Sequence, residues 1–457
     1  MWAKEVLKVD LWSKQREILD AIFNQPKVAV RACHSVGKTF VAAVAVLAFM
    51  FLRTPCKVIT TAPTFYQVKD LLWSDINTLY KTRLDPLGFP GIMLTTRLRI
   101  MDNWFAVGLS PKESVNFQGF HSPNILIVYD ESPGVRHEIV EGAEGLLSSG
   151  DAHVLHIGNP TKSSGHFYSM FNGKEAKDYY PIHISAFSSP NFTGEKVPQH
   201  VRDSLIKKRW VEAVSRKWGI TSPLYKSRVL GDFPDESENQ LIPLSLCEEA
   251  VYREINMPAN TPRELGIDVA RFGDDETVFT IRKGLLIEKI INVRSRDTME
   301  VTGQACNLMD EYEIEIVKVD AIGIGAGVED RLKELDRNVI GVNSSRTALD
   351  PRYFNKRTEL WFNGKLWLTT GKIPDNMDLI SDLTTPLFFY GSKGQFRVES
   401  KEDIKKRLGR STDYGDSYNL SIDETDSLGG NIFVSSTRHN IDEMMKERSR
   451  TMFTDDI

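Results

Sequence analysis

The sequence predicts an α/β protein in two parts. A P-loop ATPase with a mostly parallel central sheet and a small lid or linker subdomain comes first. An RNase H-like nuclease domain with a mixed sheet follows. Three observations carry this. A short apolar strand, residues 27–32, enters a loop holding Gly37, Lys38 and Thr39 and then an apolar helix. A second apolar strand, 125–131, ends in Asp130 and Glu131. After Pro262, three consecutive strand-like runs precede a helix and a fourth strand, with aspartates inside the first run and the last strand.

Taking the elements in order, strand–loop–helix is the context that gives Gly-Lys-Thr its meaning. Backbone N–H groups of Cys33, His34, Ser35, Val36 and Gly37, and of the helix N-terminus, would face phosphates. Lys38 would neutralise β and γ oxygens, Thr39 would ligate Mg²⁺, and Gly37 would let the backbone come close. ATP and Mg²⁺ are the ligands expected, although Ala32 stands where the first glycine is usual. The buried strand 125–131 would deliver Asp130 to the metal shell and Glu131 to the attacking water. A strand–turn–helix unit, 57–72, lies between. Strand 152–158 ends in Gly158-Asn159-Pro160-Thr161. Asn159 there either approaches the γ-phosphate at the edge where parallel sheets bind ligands or belongs to a simple turn. Gln15 either reads an adenine edge or is a solvated helix residue. Residues 202–218 read as one basic helix.

In the second part, runs 264–270, 276–283 and 285–293, with a turn at Gly284, precede a helix at 298–310 and a strand at 315–321. Asp268 and Asp320 sit inside apolar strands, where a charge is costly without a partner. Asp416 opens an apparent helix. Three carboxylates converging on one sheet edge can hold two Mg²⁺ or Mn²⁺ ions for phosphodiester cleavage. Asp275 and Asp413 are secondary candidates, as supporting ligands or as solvated loop acids. The expected domains are 1–165, 166–240 (lid or linker), 241–425 and a tail, 426–457.

Charge agrees with two jobs. Residues 1–230 hold 28 basic and 20 acidic side chains, against 29 and 42 in 231–457. That gives +8 and −13, asymmetric enough to suggest two domains. The longest apolar run, Phe40 to Leu52, is too short to span a bilayer. Four scattered cysteines suggest neither a zinc site nor a disulfide framework. A soluble protein of a reducing compartment is expected.

These residues together resemble the large terminase subunit of tailed bacteriophages. WSKQREIL resembles the family's adenine-contacting motif, CHSVGKT its deviant Walker A, TAPTFYQ its motif Ia and ILIVYDES its Walker B. GNPTKSSGHFY resembles its coupling segment and LYKSRVLGDFP the stretch closing the ATPase region, with Asp232 where glutamate is usual. DVARFGDDET, VDAIGIGAGVEDRL, FNKRTELW and DYGDSYNL resemble the nuclease motifs, with Ser417 in place of alanine. Many members carry a charge-sensing arginine where this chain has His34. Arg31 is the candidate for that role here, or else a strand-end ion pair.

The resemblance implies a genome-packaging motor that drives double-stranded DNA into a procapsid and cuts concatemeric DNA at initiation and termination. It implies the portal protein and the small terminase subunit as partners. It also implies a homo-oligomeric ring, a pentamer, on the portal, and a monomer or weak oligomer when free. No membrane partner is expected; the location is the host cytoplasm and, transiently, the portal. Two alternatives stand beside it. A DNA helicase or remodeller fused to a nuclease would separate strands with ATP. A non-enzymatic DNA-binding assembly protein would release no phosphate.

Overall fold

Eight strands build the sheet of the first unit in the computed structural model. They are β1 Lys27–Ala32, β2 Cys56–Thr61, β3 Ile92–Leu94, β4 Arg97–Met101, β5 Trp104–Gly108, β6 Asn124–Asp130, β7 Asp151–Gly158 and β8 Tyr180–Ile184. Their order is β3-β4-β5-β2-β6-β7-β1-β8. From β5 to β8 every pairing is parallel. Only β3 and β4 join antiparallel, and this short edge hairpin was not legible in the sequence. The helix Lys38–Leu52 is buried almost all round, from Val41 to Met50. A helix apolar on every face belongs inside a protein, which accounts for the long apolar run.

The structure describes residues 2–110, 120–148, 150–234, 239–270, 276–294, 297–391 and 394–423. Asp275 and the tail 426–457 lie outside the described residues. Two compact units divide the chain. One is Met1–Glu238 with Pro243–Tyr252; the other is Asn239–Ile242 with Arg253–Ile457. Among the described residues no helix is long and apolar enough to cross a membrane.

The basic segment differs from the single helix expected over 202–218. Two helices, Gln199–Ser204 and Lys208–Trp218, flank a break. At the break the Ile206 N–H donates to the Ser35 carbonyl at 2.8 Å rather than continuing a helix. In the second helix Val211, Val214 and Trp218 form the buried stripe, while Lys208, Arg209, Arg216 and Lys217 face solvent.

The second unit holds β9 Arg263–Asp268, β10 Thr277–Lys283, β11 Leu286–Val293, β12 Ile314–Asp320 and β13 Val339–Val342, in the order β11-β10-β9-β12-β13. β9 pairs antiparallel with β10 and parallel with β12, so the sheet is mixed. Leu265, Ile267, Phe279, Val317 and Val319 form a core with Val301, Ala305 and Leu308 of helix Thr298–Tyr312. Helix Asp413–Ser421 packs on β9 and β10.

Candidate functional sites

In the first unit the C-terminal ends of β1, β6 and β7 meet. Gly37, at φ +76°, turns the chain from the loop into the helix. Lys38, nearly buried, donates to the Cys33 carbonyl at 3.2 Å and to Asn159 Oδ1 at 3.1 Å, and stands 3.8 Å from Glu131. Thr39 Oγ1 donates to Asp130 Oδ2 at 3.1 Å. Asn159 also donates through Nδ2 to the Ala32 carbonyl at 2.6 Å, and its N–H reaches Glu131 Oε2 at 3.4 Å. The candidates Lys38, Thr39, Asp130, Glu131 and Asn159 are therefore one cluster. Asn159 is a cross-link between strand ends rather than only a turn residue.

Other residues stand differently from expectation. The N–H groups of Cys33 and His34 are not turned to the loop interior. They donate to the Ile184 and Arg228 carbonyls at 2.8 and 3.0 Å, because β8 and the 226–230 turn flank that end of the loop. This leaves Ser35, Val36, Gly37, Lys38 and Thr39 to offer N–H groups to a phosphate. Burial, then Arg228 and Lys38, push the His34 imidazole well below its ordinary pKa. It is neutral at pH 7 and is no substitute for an arginine. Gln15 is buried, not solvated. Its Nε2 donates to the Gly37 carbonyl at 3.2 Å, and Trp12 Nε1 donates to that of Val36 at 3.3 Å, so both brace the loop. Arg31 forms an ion pair with Asp232 and donates to the Gly231 carbonyl at 3.2 Å. Its guanidinium lies 5.8 Å from the rings of Phe171 and Phe233, beside a cavity of about 920 Å³. The strand-end ion pair is thus what Arg31 makes.

Asp130 is pushed up to about 7 by burial first and Glu131 second, against Lys38 and Thr39. Its folded pKa lies above its ordinary value, so this group's contribution to stability falls as pH rises from about 4 to 7. Asp130→Asn relieves that cost and keeps an acceptor for Thr39. It is expected to raise the Tm of the nucleotide-free protein by about 2–4 °C at pH 8, with no gain near pH 4, while ATP hydrolysis is lost. Calorimetry at both pH values checks this.

In the second unit Asp268 ends β9 and Asp320 ends β12, each one residue past the paired Ile267 and Val319. Asp416 comes from helix Asp413–Ser421. Lys401, which the sequence reading missed, joins two of them. Its Nζ lies 3.4 Å from both Asp268 oxygens and 3.1 Å from Asp416 Oδ2. Trp361 Nε1 and Thr412 Oγ1 also donate to Asp416, at 3.1 and 2.9 Å. Asp268, Asp320, Asp413, Arg357 and Lys401 line one cleft of about 300 Å³. Asp413 Oδ2 accepts from the Glu276 N–H at 3.2 Å, so it also ties the start of β10.

Among the described residues no three His, Cys, Asp or Glu side chains gather closely enough to hold a metal as they stand. Charge explains the arrangement, because an ammonium sits between two of the carboxylates. Burial first, then Asp416, Asp413 and Asp320, raise Asp268 well above its ordinary value against Lys401. Burial opposes ionisation of Asp416 too, but Lys401 and Arg357 outweigh it and hold it low. Such a donor set suits a hard cation, which prefers carboxylate oxygens. Lys401→Ala leaves these acids without their ammonium. We expect the metal-free Tm to fall by about 2–4 °C at pH 8, and manganese to raise it more in the variant than in the wild type. Thermal melts with and without the metal check this.

No family model matches the chain. The chain is 23% identical over 450 residues to the probable terminase large subunit of Enterobacteria phage P7, covering 90% of this chain and 87% of that protein. Among solved structures it is similar to the large terminase of a thermophilic bacteriophage, at TM-score 0.44 and 13% identity, over 90% of this chain and 98% of that one. That protein has also been solved with ADP and with ATP-γ-S. A third likeness is to the nuclease domain of the large terminase subunit of bacterial virus Sf6, at TM-score 0.35 and 16% identity, over 40% of this chain and 96% of that domain. A variant of that domain has been solved with manganese. By sequence, the chain is similar to that probable terminase large subunit over nine-tenths of its length.

Proposed function

We propose that this chain is a viral genome-packaging motor and nuclease. ATP hydrolysis in the first unit drives double-stranded DNA into a procapsid, and the second unit cuts concatemeric DNA at initiation and termination. One observation carries the reading. A single chain holds a Lys-Thr-Asp-Glu-Asn cluster at the edge of a parallel sheet and an aspartate cluster at the edge of a mixed one.

Lys38 and the first turn of its helix bind the β and γ phosphates, and Glu131 orients the attacking water and takes its proton. Thr39 and Asp130, a hydroxyl–carboxylate pair, would hold Mg²⁺, which when bound neutralises charge on the phosphate oxygens. Asp268, Asp320 and Asp416 would hold two Mg²⁺ or Mn²⁺ ions, which when bound lower the pKa of water and stabilise the leaving oxygen. Arg357 and Lys401 offer cations to a DNA phosphate beside these acids. Residues 166–240 serve as lid and linker, with the exposed basic face of Lys208–Trp218 available to phosphates. The portal protein and small terminase subunit are the partners. The working form is a pentameric ring at the portal, and the free chain in the host cytoplasm is a monomer or weak oligomer.

Phosphate release from ATP and manganese-dependent cutting of a supercoiled plasmid test both activities. Both are expected from the full chain. The absence of both would leave a non-enzymatic assembly protein.

A further inference from the structure

We infer that His166 and His156 are positioning residues for Glu131, acting through Ser132. Glu131 adopts φ +46°, a left-handed conformation unusual for a residue with a side chain. Such a conformation is strained and persists only where the surroundings over-determine it. Here they do so at the next residue. Ser132 Oγ shares a buried hydrogen bond of 2.8 Å with His156 Nδ1, inside β7. The Ser132 carbonyl accepts from His166 Nε2 at 3.0 Å, from the helix Gly165–Asn172. The same carbonyl caps the short turn by accepting from the Val135 N–H at 3.1 Å.

The His156 imidazole is itself fixed. His156 stacks on Tyr129 of β6, with centroids 4.4 Å apart and planes 7° from parallel. Tyr179 meets its edge at 5.7 Å. Gly158 lets β7 pass close to this turn, since a Cβ there would lie 2.4 Å from Pro133 Cδ. The segment between the two histidines carries Asn159, which bonds Lys38, Ala32 and Glu131. One stretch of chain, 156–166, therefore grips both sides of Glu131: the carboxylate through the Asn159 N–H, and the following backbone through Ser132. A shift of that stretch would move the water-activating carboxylate and the Lys38 partner together.

The assignment rests on Glu131 being the water-activating carboxylate, so Glu131→Gln is measured alongside. His166→Leu removes the donor and keeps an apolar side chain. We expect its kcat for ATP to fall about a hundredfold, the cost of a displacement of about 1 Å, with KM for ATP and Tm unchanged. His166→Gln, which keeps an N–H at similar reach, is expected to recover most of the rate. Ser132→Ala cuts the His156 link in a smaller step and is expected to lose at least about tenfold; it carries the test if His166→Leu does not fold. Wild-type kcat in Ser132→Ala or His166→Leu, with Glu131→Gln inactive, would overturn the positioning role and leave Glu131 in place. No recovery in His166→Gln would also overturn it. An active Glu131→Gln would remove the residue being positioned and overturn both.

Discussion

Lys38→Ala is expected to abolish ATP hydrolysis while DNA cleavage persists. The ammonium is held by the Cys33 carbonyl and Asn159 and stands beside Glu131, so it is preorganised before any nucleotide arrives. Alanine removes the cation that offsets two adjacent carboxylates. Asp130, already raised to about 7 against the pull of Lys38, would rise further and offer less negative charge to a metal at neutral pH. A loss of at least about a thousandfold in kcat/KM is expected, about 4 kcal/mol of transition-state stabilisation. Phosphate release at ATP concentrations well below KM measures it. Hydrolysis at the wild-type rate would place the phosphate site elsewhere.

Asp268→Ala is expected to abolish metal-dependent cleavage while ATP hydrolysis survives. Asp416 is engaged by Trp361, Thr412 and Lys401, whereas among the described residues the hydrogen bonds to Asp268 come from Lys401. Asp268, raised where Asp416 is held low, thus has more to gain from a divalent cation than Asp416. Removing it should reduce cutting by at least about a thousandfold. It should not lower the metal-free Tm at pH 8. A buried carboxylate with a raised pKa loses stability as pH rises above its ordinary value, and alanine has no such cost. Conversion of supercoiled to linear plasmid in manganese, beside a melt without metal, measures both effects. Unchanged cutting would remove Asp268 from the site.

The parts of the two sites that lie on strands and in the loop were legible before the fold was known. Lys38 and Thr39 follow a strand and open an apolar helix. Asp130, Asp268 and Asp320 are charges at the ends of apolar runs, a pattern with a cost that needs a reason. What stayed hidden depends on tertiary placement. Lys401 begins the charged helix Lys401–Leu408, which by sequence is only a solvated charge run. Asp382 is legible only as a helix acid, yet it is fully buried and accepts the N–H groups of Tyr414 and Gly415, anchoring the helix that carries Asp416. His166 follows a turn in a string that gives no hint of Ser132. Arg31 and Gln15 had the opposite difficulty. Their residue types suited a ligand, and only the neighbours Asp232 and Gly37 show where their polar atoms go.

Protection of linear double-stranded DNA from nuclease digestion, in the presence of procapsids bearing their portal and ATP, tests the packaging-motor reading most directly. The wild-type chain is expected to give protected DNA of procapsid capacity, and Lys38→Ala none. ATP-dependent strand separation without any protected DNA would contradict it and make the chain a helicase joined to a nuclease.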